Sequence, residues 1–249
     1  MPSIVIWALP GFLGLPSDWD VLQLPCTESS TTVRVKAINI MQFNILSLGD
    51  WASQFNSLVH AQCIDQNYTQ KNLLLGYSLG GRLALHALLD MPKLWDGAII
   101  ISSHPGLSNE SEQAARIKSD EHWAQRFLTE SWSSLMDDWN NQKIFAGAPF
   151  SFQRHEKNYQ RSQLADLLKY CSLGKQKDLR SQIAELCQPI LWITGEDDKH
   201  CSAIARTIKF NNMLSNIIKM PQAGHRAPWQ QPQLFCDILN KWLINSPYA

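Results

Sequence analysis

The chain has 249 residues, 45% of them hydrophobic, and its 22 Lys plus Arg balance 22 Asp plus Glu. That is enough apolar material for one sizeable core, with no net field to draw nucleic acid or an anionic membrane. No stretch reaches the roughly 18 consecutive apolar residues of a membrane span. Cys26, Cys63, Cys171, Cys187, Cys201 and Cys236 form neither Cys-x-x-Cys pairs nor His-flanked ligand sets, so reduced thiols and no metal are expected.

Ser3–Leu9 reads as a buried strand ending at Pro10-Gly11-Phe12-Leu13-Gly14, a glycine-punctuated loop. The run lacks a basic segment before it and stops at Pro10, too short for a signal peptide, which points to the cytoplasm. The Asn-x-Ser/Thr sequons at Asn67 and Asn109 then carry no weight. Val33–Ile38 alternates as a second strand, and Asp50 is expected to cap a helix with Trp51, Phe55, Leu58 and Val59 on its packed face.

Leu73-Leu74-Leu75 leads into Gly76-Tyr77-Ser78-Leu79-Gly80, and Leu83–Leu89 follows at helical spacing. A Gly-x-Ser-x-Gly turn between a strand and a helix forms a nucleophile elbow: Gly76 and Gly80 remove Cβ atoms that would clash as the backbone reverses, and the Ser78 hydroxyl is thrust outward. The Leu79 N–H opens the helix and is an unpaired donor beside its positive end, suited to a developing oxyanion.

Ala98–Ser102 is a further buried strand, with His104-Pro105-Gly106-Leu107 just beyond it. From there to Pro189 the pattern is helical without a convincing strand, too long for a simple crossover, which reads as an inserted helical cap. Pro189–Thr194 resumes the sheet and ends at Gly195-Glu196-Asp197-Asp198; Ile217–Met220 is another strand, followed by Ala223-Gly224-His225, and Pro232 opens a last amphipathic helix. The expected fold is α/β, a mostly parallel sheet covered on both faces, with residues 1–103 and 186–249 as core and 104–185 as cap.

This arrangement resembles the α/β-hydrolase fold. A serine hydroxyl needs an imidazole base, and that base needs a carboxylate to fix its tautomer. His225 is the best placed of the seven histidines, with His104, His200 and His86 read as loop contact, surface residue and helix-packing residue. Glu196, Asp197 and Asp198 compete for the acid; the hydrolase pattern Gly-Glu-x-Asp selects Asp198, and the order Ser, Asp, His is the one this fold uses. The same likeness makes the Phe12 N–H the second oxyanion donor, although Pro10 replaces the usual His, and the Asp-x-Pro-Gly-His-Gly loop after the second strand is absent.

Arg82 lies one helical turn beyond Ser78, where a guanidinium suits a carboxylate-bearing substrate better than an apolar ester. Together with the elbow, His104-Pro105-Gly106-Leu107, Arg116 with Ser119-Asp120, Trp123–Glu130, Asp138-Trp139, Gly195–Asp198 and Ala223–His225, it resembles the 2-succinyl-6-hydroxy-2,4-cyclohexadiene-1-carboxylate synthases, lyases of menaquinone and phylloquinone biosynthesis. The resemblance implies that the Ser78, Asp198 and His225 relay removes a proton α to a succinyl carbonyl and that pyruvate is expelled without an acyl-enzyme. It further implies Arg82, Arg116 and Arg161 as carboxylate ligands, Tyr77 and Trp139 as pocket lining, no cofactor, and a small-molecule polycarboxylate as substrate. A serine carboxylesterase or thioesterase with the same triad is the competing reading; a catalytically dead binding protein is disfavoured because every triad position is filled.

Overall fold

The computed structural model describes residues 3–21, 32–64, 70–145 and 152–245; Cys26 and the Asn67 sequon lie outside them. The strands are β1 (Ser3–Leu9), β2 (Thr32–Ala37), β3 (Gln70–Tyr77), β4 (Gly97–Ile101), β5 (Ile190–Gly195) and β6 (Asn216–Met220). All pair in parallel, in the order β2-β1-β3-β4-β5-β6. The α-helices are α1 (Leu48–Ile64), α2 (Leu79–Asp90), α3 (Glu110–Thr129), α4 (Trp132–Asn140), α5 (Arg161–Tyr170), α6 (Arg180–Ala184), α7 (Lys199–Ala205), α8 (Ala227–Gln230) and α9 (Pro232–Ile244).

Central strands buried on both sides cannot alternate apolar with polar, which is why β1, β3 and β4 read as unbroken apolar runs. Val5, Trp7, Leu74 and Ile100 pack beneath Trp51 and Phe55 of α1 and Leu83 of α2. Ile4, Ile6, Leu73, Leu75 and Ile99 face Phe235, Leu239 and Leu243 of α9. Among the described residues no helix is long and apolar enough to cross a membrane.

Helix α1 begins before Asp50. Its cap is Ser47, whose Oγ accepts the Asp50 N–H at 3.0 Å and whose carbonyl accepts the Trp51 N–H. The Asp50 carboxylate instead accepts from Gln54 Nε2, one turn on. A serine three residues upstream of the free N–H reaches it directly, so the aspartate is not needed as a cap.

The sheet switches direction between β1 and β3, because the chain goes outward from β1 to β2 and then returns to the other side of β1. Loops leaving β1 and β3 therefore diverge and leave a crevice at their carboxyl ends, where ligands of open α/β sheets bind. Between β4 and β5 the described residues hold helices and short 3-10 turns and no strand. This segment is tied over the crevice by Tyr159 Oη donating to the Leu13 carbonyl at 2.8 Å and by a two-pronged pair of Arg154 with Asp18 at 2.7 and 2.8 Å.

The elbow closes against β1. A Cβ on Gly80 would stand 2.2 Å from the Leu9 carbonyl oxygen, and one on Gly76 would stand 2.3 Å from that of Gly80. Both contacts are with backbone, which has nowhere to move. Gly80→Ala is expected to lower stability by about 2–3 kcal/mol, in the range for forcing an extra methyl into a packed interior; an unchanged urea unfolding midpoint would contradict this account of the elbow.

Candidate active site

Ser78 sits between β3 and α2 with φ 52° and ψ −113°, a left-handed conformation that a serine adopts only under restraint. The restraint is visible: its N–H donates to the Ile101 carbonyl at 2.9 Å, and its carbonyl accepts from Ser103 Oγ at 2.9 Å. The side chain is left pointing off the end of the sheet. Ser78 Oγ lies 3.2 Å from His225 Nε2, and His225 Nδ1 lies 2.6 Å from Asp198 Oδ2. The second Asp198 oxygen accepts the Cys201 N–H at 2.9 Å, because Asp198 is also the N-cap of α7.

Which of the three adjacent acids serves is decided by the backbone. Glu196 N–H donates to the Met220 carbonyl and Asp197 N–H to that of Ala223, both at 2.8 Å, stitching the loop after β5 to the loop after β6. A Cβ on Gly195 would meet the Gly224 oxygen at 2.1 Å, so only glycine lets the loops come this close. Asp198 is thereby carried under the His225 ring, while Glu196 turns to Lys219 at 3.6 Å. Burial pushes the Asp198 carboxyl upward, but hydrogen bonds from His225 and from Cys201 hold it below the usual carboxylate range. Asp198 is thus ionised, His225 donates through Nδ1, and Nε2 faces the serine as an acceptor.

The N–H groups of Leu79, the first residue of α2, and of Phe12, in the loop after β1, are engaged by no other described residue. Both flank Ser78 and are free to receive an oxyanion. Cys201 Sγ lies 3.7 Å from His225 Nδ1, and burial pushes this thiol well above its ordinary value, so it stays protonated. Asp198, Cys201 and His225 bring one ligand atom each within 4.8 Å of one another. The 2.6 Å contact between two of them is a direct hydrogen bond that leaves no space for an ion, and the thiol is not a thiolate; the trio does not fit a metal.

Ser78 and His225 open into a cavity of about 390 Å³ under the helical segment. Phe12, Trp123 and Trp139 form one wall, with Trp139 4.7 Å from Phe12 and 5.0 Å from Trp123 between ring centres. Arg82 and Arg116 both reach the cavity. Burial, with the nearby Arg116 charge, lowers the Arg82 guanidinium to about 10; its Nη1 donates to Gln176 Oε1 at 3.3 Å. Arg116 is steadied by Asp120, which accepts its Nε on both oxygens at 2.9 Å and also accepts from Ser172 Oγ at 2.7 Å. Two like charges beside one desolvated cavity are relieved by an incoming anion.

Two sequence-predicted residues lie elsewhere. Arg161 is not on the cavity wall: its Nη1 donates to the carbonyls of Phe127 and Glu130 at 3.0 and 2.7 Å and its Nε to Glu156. As the first residue of α5 it lies beside the end of α3, whose last carbonyls lack helical partners and attract a cation. Tyr77 stands behind the histidine, 5.4 Å from the His225 ring and 4.8 Å from Trp229, and borders a smaller neighbouring cavity of about 40 Å³. Sequence reasoning missed Phe145, which packs edge-on to His225 at 5.7 Å, and Arg226, whose guanidinium lies 4.0 Å over Phe145 and donates to Asn140 Oδ1 at 2.7 Å. It also assigned His104 and His200 no place in the site, and both border the catalytic cavity.

The alpha/beta hydrolase family profile matches residues 4–238. A protein of Serratia proteamaculans named 2-succinyl-6-hydroxy-2,4-cyclohexadiene-1-carboxylate synthase is 30% identical over 253 residues, covering 97% of this chain and 93% of the relative. One of the same name from Escherichia coli is 34% identical over 163 residues, 64% of this chain and 63% of the relative. Among solved structures, MenH from S. aureus superposes with a TM-score of 0.83 at 18% identity, covering 98% of this chain and 94% of that one. A thermophilic esterase from Thermogutta terrifontis gives 0.67 at 18% identity over 98% and 90%.

An ionised Asp198 that holds the His225 tautomer makes a sharp expectation. Asp198→Asn keeps the hydrogen-bonding shape but favours the wrong tautomer, so covalent labelling of Ser78 by a fluorophosphonate should slow by about 10³–10⁴-fold, with mass spectrometry of the labelled peptide as the measurement. Labelling at the parental rate would mean that Asp198 does not orient His225.

Proposed function

The chain belongs to the alpha/beta hydrolase family and, within it, to the 2-succinyl-6-hydroxy-2,4-cyclohexadiene-1-carboxylate synthases, and from that membership we propose how its residues carry out the family's elimination. The protein is a lyase of menaquinone biosynthesis that expels pyruvate from 2-succinyl-5-enolpyruvyl-6-hydroxy-3-cyclohexene-1-carboxylate. Its substrate carries carboxylates on the succinyl chain, on the ring and on the enolpyruvyl ether. What supports this assignment of roles is one juxtaposition: Ser78 and His225 share a cavity with Arg82 and Arg116, a pairing for which ester hydrolysis has no use.

In our reading His225 Nε2 takes the Ser78 proton as Ser78 Oγ takes the ring proton α to the succinyl carbonyl. The electrons left behind move onto the carbonyl oxygen, which the N–H groups of Phe12 and Leu79 receive. They then return through the ring double bond and break the bond to the enolpyruvyl oxygen, which leaves as the enolate of pyruvate and takes up the proton held by His225, giving pyruvate and restoring the relay. The serine acts as a proton carrier and forms no acyl bond. Arg82 and Arg116 hold carboxylates so that the acidic ring carbon faces Ser78, and the aromatic cluster of Phe12, Trp123 and Trp139, tilted and edge-on to one another, supplies an apolar wall for the ring. Residues 104–185 act as a cap that keeps bulk water off the enolate, with Arg161 serving its internal packing rather than the substrate. The substrate is water-soluble, and we place the reaction in the cytoplasm.

Pyruvate formation from the freshly generated enolpyruvyl substrate, read through a coupled reductase, tests the assignment; turnover of aryl esters through a trappable acyl-Ser78, with no pyruvate, would replace it by a hydrolase. Arg82→Ala is expected to lower kcat/KM for pyruvate release by at least about 30-fold, or about 2 kcal/mol, the scale of one charge-assisted hydrogen bond. Kinetics within twofold of the parent would take Arg82 out of the substrate site.

A further inference from the structure

His104 lies in the loop after β4, outside the proton relay, and borders the catalytic cavity. Its Nδ1 accepts the Gly106 N–H at 3.0 Å, an arrangement possible only when that nitrogen carries no proton. The ring proton of the neutral imidazole is therefore fixed on Nε2. Gly106 can make this turn because its φ of 121° is open to glycine, and its own Cβ would strike the Lys177 carbonyl at 2.1 Å. The loop is thus built around the contact. Burial, then the nearby charges of His200, Arg180, Arg82 and Arg116, lowers the His104 imidazole to about 3, so it is uncharged across the working range. No described residue accepts from Nε2.

His104 is also coupled to the arginines. Gln176 Nε2 donates to the His104 carbonyl at 3.1 Å while Gln176 Oε1 accepts from Arg82 Nη1 at 3.3 Å, so one buried amide sets the loop and the guanidinium together. A ring with Nδ1 already occupied can donate and cannot accept, which fits an oxygen that only accepts. In a wall that also bears Arg82 and Arg116, that oxygen belongs to a carboxylate.

Resting on the lyase reading for the identity of the substrate, we propose that His104 Nε2–H is a third carboxylate donor of the catalytic cavity, completing with Arg82 and Arg116 the set from which Arg161 is absent. A neutral donor adds directionality where a third cation would add repulsion. It grips one carboxylate oxygen without adding another charge beside Arg82 and Arg116.

The test is a titration of uniformly ¹⁵N-histidine protein with succinate, followed in two-bond ¹H–¹⁵N spectra, with His104→Phe identifying the His104 pattern. The expected result is an Nε2–H tautomer for His104 whose signals move as succinate binds, and succinate affinity about tenfold weaker in His104→Phe and in His104→Ala. In turnover, KM for the enolpyruvyl substrate should rise by more than kcat falls. An Nδ1–H tautomer, or His104 signals unmoved by succinate that nonetheless competes with the substrate, overturns the proposal. If the parental enzyme releases no pyruvate the lyase reading fails on its own, and the succinate titration still decides the subsite.

Discussion

The site depends on a short contact between two loops that are far apart in the chain. Gly195 and Gly224 approach until no side chain fits between them, and backbone hydrogen bonds from Glu196 and Asp197 lock the approach. Only then does Asp198 stand 2.6 Å from His225 Nδ1. The rest of the relay follows from that bond. Held by an ionised carboxylate, the imidazole presents an unprotonated Nε2 to Ser78, and the serine's strained backbone keeps its oxygen within reach.

Electrostatics then separates what this cavity does from what the same relay does elsewhere. A triad with an oxyanion hole is neutral about chemistry: it can add to an ester or take a proton from carbon. Arg82 and Arg116 break that neutrality. Holding two guanidinium groups near one another in a partly desolvated space is unfavourable, as the lowered Arg82 shows, and the unfavourable state is removed when a polyanion arrives. In our reading this is the source of the cavity's preference for carboxylates. Asp120 and Gln176 limit the repulsion without filling the space, since each engages one edge of its arginine.

The helical segment joins these parts mechanically. Arg226 follows His225 directly, lies over Phe145 and donates to Asn140 at the end of α4, so the histidine loop and the segment above it share one set of contacts. On the opposite side Arg154 and Tyr159 fasten the segment to Asp18 and Leu13 in the loop that carries Phe12. Both His225 and Phe12 are therefore held from above as well as from the sheet. That makes the segment part of the catalytic geometry in our reading, beyond excluding water.

Local chemistry makes much of this legible in the sequence. A Gly-x-Ser-x-Gly between an apolar strand and a helix has one steric solution, runs such as Ile4–Leu9 and Ala98–Ile101 can only be doubly covered strands, and Arg82 must share a face with Ser78 because a helix turns every 3.6 residues. Position along the chain could not say where Arg161 ends up, since that was settled by the unpaired carbonyls at the end of a different helix. Nor could it show that Ser47 rather than Asp50 caps α1, or that His104 turns one nitrogen to Gly106 and borders the cavity with the other unclaimed. Sequence thus determined the elements and the reactive groups, which depend on neighbours a few residues away. Tertiary structure alone decided which cations border the cavity and which face a helix end, because a guanidinium goes to whichever unpaired acceptors the packing brings within its reach.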